Sequence, residues 1–319
     1  MKTILPPGSD RSAELARRFS YDEWLVSRFL EYVPRPDEFL EKMEVEPSLY
    51  LRVNTLKTSV DLLKSRLVEK GFELRDTPLQ EVFAVANGPM SAGATLEYML
   101  GHYYIQDLSS CFAVDALDVS DGQTVLDVAA APGGKTTMIA QRMHNTGAIV
   151  AAEPSESRTR SLIFNLARCG ISNTCIKRVR GEEVSSLGIK FDRVLLDAPC
   201  SCEGVIAKDV NRKTSHSPSD VEFCSARQES LIESAAGVVK KGGVLVYSTC
   251  SFAPEENEAV VNSLLQKRPD ISLEPLEFGS EGLTNFQNVE FGSDMKKTRR
   301  LYPHLHDTTG FFVAKMRVG

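Results

Sequence analysis

Short apolar runs alternating with helix-period segments constrain this chain more than any other feature. Residues 124–129 read as a buried strand that ends in the turn Ala131-Pro132-Gly133-Gly134-Lys135. A helix to about residue 143 follows, then a strand over 148–152 that ends at Glu153. Residues 155–169 are a helix stopped by Gly170, and 174–179 are a third strand. Two more strands, 193–197 and 244–249, flank a helix over 218–239. Strands and helices alternating at this spacing predict an α/β fold with a doubly wound, mostly parallel sheet. A helix over 254–267 and a last strand over 310–316 complete the pattern.

The pattern upstream is different. Residues 1–46 read as polar helices, with a capped start at Ser20-Tyr21-Asp22-Glu23 and breaks at Pro34 and Pro36. Residues 51–55 alternate as a strand. Residues 59–70 carry Val60, Leu63 and Leu67 on one helical face, and Gly71 is a stop signal. Residues 72–74 and 82–85 supply further strands. The expected division is a helical extension over 1–46, a small α/β unit over 47–95 and the large catalytic portion over 96–319. A small unit of that size is marginal alone and needs its neighbour.

Composition narrows the class. The 42% apolar and 25% charged fractions place the chain among globular proteins. No apolar run approaches the roughly 20 residues of a membrane helix, and the N-terminus lacks a secretory pattern. Seven cysteines without disulfide spacing fit a reducing, cytoplasmic setting. A monomer is expected. The net charge of −6 means that any phosphate contact must come from local basic patches.

Ligands in doubly wound sheets sit beyond the carboxyl ends of the strands, near the first strand-to-helix turn. Small residues and two glycines at 129–134 let backbone approach a ligand closely. Glu153 ends the next strand, where a carboxylate can accept ribose hydroxyls. A nicotinamide site shares this shape, but no G-x-G-x-x-G is present and the P-loop spacing is missing. A glycine-closed turn without a ligand is the bland alternative.

Two other strand ends carry cysteines: Asp197-Ala198-Pro199-Cys200-Ser201-Cys202 and Ser248-Thr249-Cys250-Ser251. Such thiols suit methylation of a pyrimidine. Carbon 5 is a poor nucleophile until a thiolate adds to carbon 6, and a carboxyl group near N3 steadies the charge that builds up there. A second thiol can then remove the carbon 5 proton. A cation such as Lys135 helps to poise both.

Taken together these segments resemble the RNA cytosine-5 methyltransferase family that uses two active-site cysteines. The resemblance runs from about Leu51 onward. It includes Arg52-Val53-Asn54-Thr55-Leu56-Lys57, Tyr104-Ile105-Gln106-Asp107-Leu108-Ser109-Ser110 and the closing Arg300-Leu301-Tyr302-Pro303-His304. It implies a Rossmann-like S-adenosylmethionine-dependent methyltransferase fold with a small RRM-like, RNA-binding appendage around Arg52. By resemblance Cys250 is the nucleophile and Cys200 assists product release, with Asp197 and Lys135 reaching the reaction centre. The S-adenosylmethionine pocket would be Ala129, Ala130, Ala131, Pro132, Gly133, Gly134, Lys135, Glu153, Arg158 and Asp197. RNA is the implied partner, transfer RNA being expected for a compact protein and ribosomal RNA the alternative. Two departures stand out: Arg180 occupies the usual acidic position after the third strand, with Glu182 nearby, and Glu153 replaces the family's usual Asp.

The remaining polar residues have bland readings. Cys200 and Cys202 are half a zinc pattern with no second pair at zinc spacing, so no metal is expected. Cys111, Cys169, Cys175 and Cys224 read as small buried residues. Lys208, Arg212 and Lys213 lie in a Ser-rich stretch over 203–217, either a solvated loop or a lid. Lys296, Lys297, Arg299 and Arg300 are the best phosphate contacts in an acidic chain. DNA cytosine methylation through Cys200 and a non-catalytic RNA-binding factor are the competing functions. The first leaves Cys250 unexplained.

Overall fold

The computed structural model describes Thr3 and residues 5–319. The chain divides into two compact units, each assembled from separated segments. One holds residues 48–197, 234–247 and 317–319, and the other holds residues up to 47, 198–233 and 248–316.

The first unit carries the parallel sheet. Thr124–Asp127 pairs in parallel with Ala148–Ala152 on one side and with Phe191–Asp197 on the other. Ala148–Ala152 pairs in turn with Thr174–Lys177. The order across the unit is Thr174–Lys177, Ala148–Ala152, Thr124–Asp127, Phe191–Asp197, Val239–Thr249. The order reverses between Thr124–Asp127 and Phe191–Asp197, and at such a switch point the crossovers leave on opposite faces and open a crevice. The expected doubly wound fold is therefore borne out. Helix Leu108–Leu117 carries no legible signal in the sequence. It is buried on almost every side, through Leu108, Cys111, Phe112, Ala113, Val114, Ala116 and Leu117, so it has no one-faced periodicity to read.

The same unit holds a four-stranded antiparallel sheet in the order Glu73–Asp76, Val82–Asn87, Leu49–Val53, Tyr103–Ile105. Helix Val60–Glu69 crosses between Leu49–Val53 and Glu73–Asp76, giving the split, ferredoxin-like arrangement. Ser59 caps the helix by accepting from Leu62 N, and Gly71 leaves it with φ +90°. Leu51, Val53, Leu63, Leu67, Phe72 and Phe83 form its core. Tyr103–Ile105 is too short a strand to show a period.

The second unit opens with helices Asp10–Phe19, Glu23–Tyr32 and Pro36–Met43. Pro36 starts a helix where the sequence suggested a break, because the first helical position needs no N–H donor and its φ suits proline. The helix expected over 254–267 is Glu258–Lys267; Glu255, Glu256 and Asn257 precede it as a buried turn. Arg299–Leu301 pairs antiparallel with Ser280–Glu281 and with the start of Phe311–Val318.

Candidate active site

The turn after Thr124–Asp127 is held by its own glycine and by the helix Glu156–Cys169. Gly133 has φ +106°, and a Cβ there would sit 3.0 Å from Leu162 Cδ1, so both backbone and space select glycine. Arg158 Nη2 donates to Ala131 O at 2.7 Å and Asn165 Nδ2 to Pro132 O at 2.9 Å. Asp127, fully buried, accepts from Thr136 Oγ1 at 2.6 Å, and burial raises its pKa to about 6. Neither Asn165 nor Asp127 was singled out from the sequence. The only signal for Asp127 was its place at the head of the small-residue turn.

Ala129, Ala130, Ala131, Pro132, Gly134, Lys135 and Asp197 line one cavity with Tyr104, Ile105, Gln106, Asp107 and Ser110. Its volume is about 220 Å³, below the roughly 300 Å³ of small ligand pockets. Gly133, Glu153 and Arg158 are not on its wall, so it covers only the Lys135–Asp197 end of the strip assigned to the cofactor. At that end Lys135 Nζ donates to Asp197 Oδ2 at 2.6 Å and to Ser110 Oγ at 3.3 Å.

Glu153 provides the fit test for the nucleoside. Its side chain is 1% exposed, and Oε1 accepts from Ser155 N at 2.9 Å. Oε2 is buried without a hydrogen bond, although Arg158 Nη1 lies 3.3 Å away as an ion pair. A buried acceptor lacking a donor is costly unless a ligand supplies one. Ribose hydroxyls are such donors. The residues fit S-adenosylmethionine. Arg180 stands with Glu182, its Nε 3.7 Å from Glu182 Oε2.

The cysteine loops belong to the second unit and are built differently. Cys200 Sγ and Cys250 Sγ are 3.1 Å apart, and Cys202 Sγ lies 3.9 Å from Cys200 Sγ. Glu256 ties the two loops together. Its carboxylate accepts from Ser201 N at 2.9 Å, from Ser251 Oγ at 2.6 Å, from Gln228 Nε2 at 2.9 Å and from Ser201 Oγ. Gly204 N donates to Cys250 O at 2.8 Å, and Phe252 N to Glu203 Oε2 at 3.2 Å. Gly204 allows this approach, because a Cβ on it would lie 2.3 Å from Gly310 O. Arg28 and Glu255, both with fully buried side chains, form a two-point ion pair at 2.9 and 2.6 Å. Hydrogen bonds from Cys200 and Cys250 pull the Cys202 thiol down to about 3, with Arg212 adding positive charge. The Cys200 thiol is pushed well up by its hydrogen bonds with Cys202 and Cys250 and by burial.

Several expectations are corrected here. Arg52 is 1% exposed and donates to Gln106 Oε1 at 2.9 Å and Thr137 Oγ1 at 2.8 Å, so its guanidinium is a buried structural group and not a surface cation. Lys57 donates to Leu100 O and Arg168 O. Arg300 is 2% exposed and bonds both oxygens of Glu258, at 2.6 and 2.5 Å, which leaves Lys296, Lys297 and Arg299 as the surface part of the basic run. Lys213 is buried too, on Glu44 at 2.6 Å and Phe19 O at 3.1 Å, so the 203–217 stretch is pinned at that point. Cys111 and Cys169 are buried as expected, whereas Cys175 is exposed and Cys224 half-buried. Among the described residues no helix is long and apolar enough to cross a membrane.

Comparison with known proteins matches residues 114–317 to the family described as 16S rRNA methyltransferase RsmB/F. Residues 21–88 match the ferredoxin-like domain of RsmF/B-like methyltransferases. A 28S rRNA (cytosine-C(5))-methyltransferase of Mus musculus is 43% identical over 95% of this chain and 40% of its own length. Ribosomal RNA small subunit methyltransferase F of Erwinia tasmaniensis is 41% identical over 92% of this chain and 62% of its own. The chain thus spans about two-fifths to three-fifths of these curated relatives. A methyltransferase homologue from Pyrococcus horikoshii superposes with a TM-score of 0.88 at 39% identity, covering 98% of this chain and all of that one. NSun6 from the same organism, solved with an S-adenosylmethionine analogue, gives 0.79 at 26% identity over 89% of this chain and 94% of its own. The resemblance read from the sequence is borne out: this chain belongs to the RsmB/F family of RNA cytosine-5 methyltransferases.

Proposed function

We propose that this chain methylates carbon 5 of a cytosine in ribosomal RNA, with S-adenosylmethionine as the methyl donor. The observation that carries the proposal is the pair of thiols, Cys200 and Cys250, 3.1 Å apart in a chain of this family. The donor, held by residues 129–135, Glu153, Arg158 and Asp197, supplies an electrophilic methyl group. Everything else is work for the chain's own side chains. The Cys250 thiolate adds to carbon 6 of the base and makes carbon 5 nucleophilic. Asp197, oriented by Lys135, lies toward N3 and steadies the charge that builds there. Once carbon 5 carries the methyl group, Cys200 removes its proton, the carbon 5–carbon 6 double bond re-forms and Cys250 leaves.

Ribosomal RNA is preferred to the transfer RNA that a compact chain suggested, because the relatives are named for ribosomal RNA. The extruded base must leave its stack to reach the thiols. Residues 1–46 act in this reading as a helical extension, 47–95 as an RNA-binding appendage and 96–319 as the catalytic portion, in a monomer. Bisulfite sequencing of ribosomal and transfer RNA, with and without the gene, tests the proposal. A cytosine of ribosomal RNA should lose its protection when the gene is deleted. Loss confined to transfer RNA would overturn the substrate, and loss nowhere would overturn the activity.

A further inference from the structure

The proposed methyl transfer uses two thiols, yet the structure gathers three. The sulfurs of Cys200, Cys202 and Cys250 all lie within 4.8 Å of one another. A tetrahedral zinc with metal–sulfur bonds of about 2.3 Å holds its sulfurs about 3.8 Å apart. The separations here, 3.1 Å for Cys200–Cys250 and 3.9 Å for Cys200–Cys202, bracket that value. The sequence hides the arrangement because the third sulfur comes from a strand end 48 residues beyond Cys202.

Cys202 is also held where a cysteine is costly. Its backbone is left-handed, φ 63° and ψ 31°, a conformation that glycine adopts freely and residues with a Cβ adopt only at a cost. Its Sγ stays against Cys200 O at 3.3 Å. The two loops that present the sulfurs are fixed by buried partners, Ser201 and Ser251 on Glu256 and Gly204 on Cys250 O. Sulfur ligands spaced in advance and supported behind are what a metal site requires.

We propose that Cys200, Cys202 and Cys250 form a three-thiolate site for a soft divalent ion of the zinc class, and that occupancy masks the thiols used in methyl transfer. Three metal–sulfur bonds form, the thiol protons still present go to solvent, and no oxidant or reductant takes part. Water completes the fourth position. Thiolates select zinc and similar ions over magnesium or calcium. The masking rests on the function proposed above; the binding does not.

The test titrates the reduced full chain with cobalt(II) alone, then displaces it with zinc. One cobalt per chain should bind with a thiolate-to-cobalt absorption band in the near ultraviolet. Cys202→Gly, which suits the left-handed backbone, should weaken uptake by at least the roughly 10-fold that even supporting residues of metal sites are worth. Cys250→Ala should do the same, and Cys175→Ser, exposed and outside the three-sulfur group, should change nothing. Absence of the band in the wild type would overturn the site, as would unweakened uptake in both Cys202→Gly and Cys250→Ala. Zinc should stop methyl transfer by the wild type and spare Cys202→Gly. Stoichiometric uptake with transfer undisturbed would leave the site standing and overturn the masking, together with the assignment of Cys250 as nucleophile.

Discussion

The cofactor turn and the cysteine loops are held by opposite means. Residues 131–135 are shaped by one left-handed glycine and by side chains of the helix Glu156–Cys169 bonded to main-chain carbonyls about one βαβ step away. The loops at 199–204 and 249–253 lean on carboxylates buried to 1% or less, Glu203, Glu255 and Glu256. Their partners come from as far as Arg28, 227 residues before Glu255. A backbone-built turn loses little when one side chain is removed. A buried polar network leaves a desolvated partner behind at every deletion. Stability should therefore be concentrated on the thiol side, and substitutions on the cofactor side should read out as ligand affinity.

The largest effect expected from this difference is at Arg300, which lies on the thiol side although it ends a basic run. Arg300→Ala strands Glu258 without its partner and should cost about 3–5 kcal/mol in urea unfolding. A cost below about 1 kcal/mol would mean that the pair is replaceable and the network is not brittle. Glu256→Ala is next. It leaves Ser201 N, Gln228 and two hydroxyls short of an acceptor and should cost about 2–3 kcal/mol, with S-adenosylmethionine affinity retained. Glu153→Ala should do the reverse, weakening S-adenosylmethionine by about 1–3 kcal/mol in calorimetric titration at little cost in stability. Unchanged affinity would remove Glu153 from the site.

The smallest effect is a pH slope. Burial holds the Glu203 carboxyl at about 8, against 4.5 for a free glutamate. The native state keeps this proton longer than the unfolded chain does. Its contribution is therefore fully present below 4.5 and lost as pH rises toward 8. The wild type should lose up to about 1.4 kcal/mol per pH unit relative to Glu203→Gln over that window. Parallel stability profiles for the two proteins would show that Glu203 does not titrate there.

The same contrast explains what the sequence could reveal. The parallel strands, the turn at Gly133 and Gly134 and the capped helix from Val60 are local features with local signals, and all are legible. So is the presence of thiols at two strand ends. The exposure of Arg52, Lys213 and Arg300 is not legible, because it depends on Gln106, Glu44 and Glu258, which come from distant parts of the chain. The role of Glu256 is hidden for the same reason: the helical pattern over 254–267 gives no sign that Glu255 to Glu258 are all buried. From the sequence Cys202 is only half of a metal pattern, because its nearest sulfur partners are set by folding as well as by spacing.

The central claim is a division of labour between the two thiols, and covalent trapping tests it most directly. Each variant is incubated with ribosomal RNA and S-adenosylmethionine, denatured and run on a gel. Cys200→Ala should still attack carbon 6 and accept the methyl group, then stall as a protein–RNA adduct that migrates as a shifted band. Cys250→Ala and the double variant should give no band. The opposite pattern, an adduct in Cys250→Ala and none in Cys200→Ala, would contradict the account and make Cys200 the nucleophile.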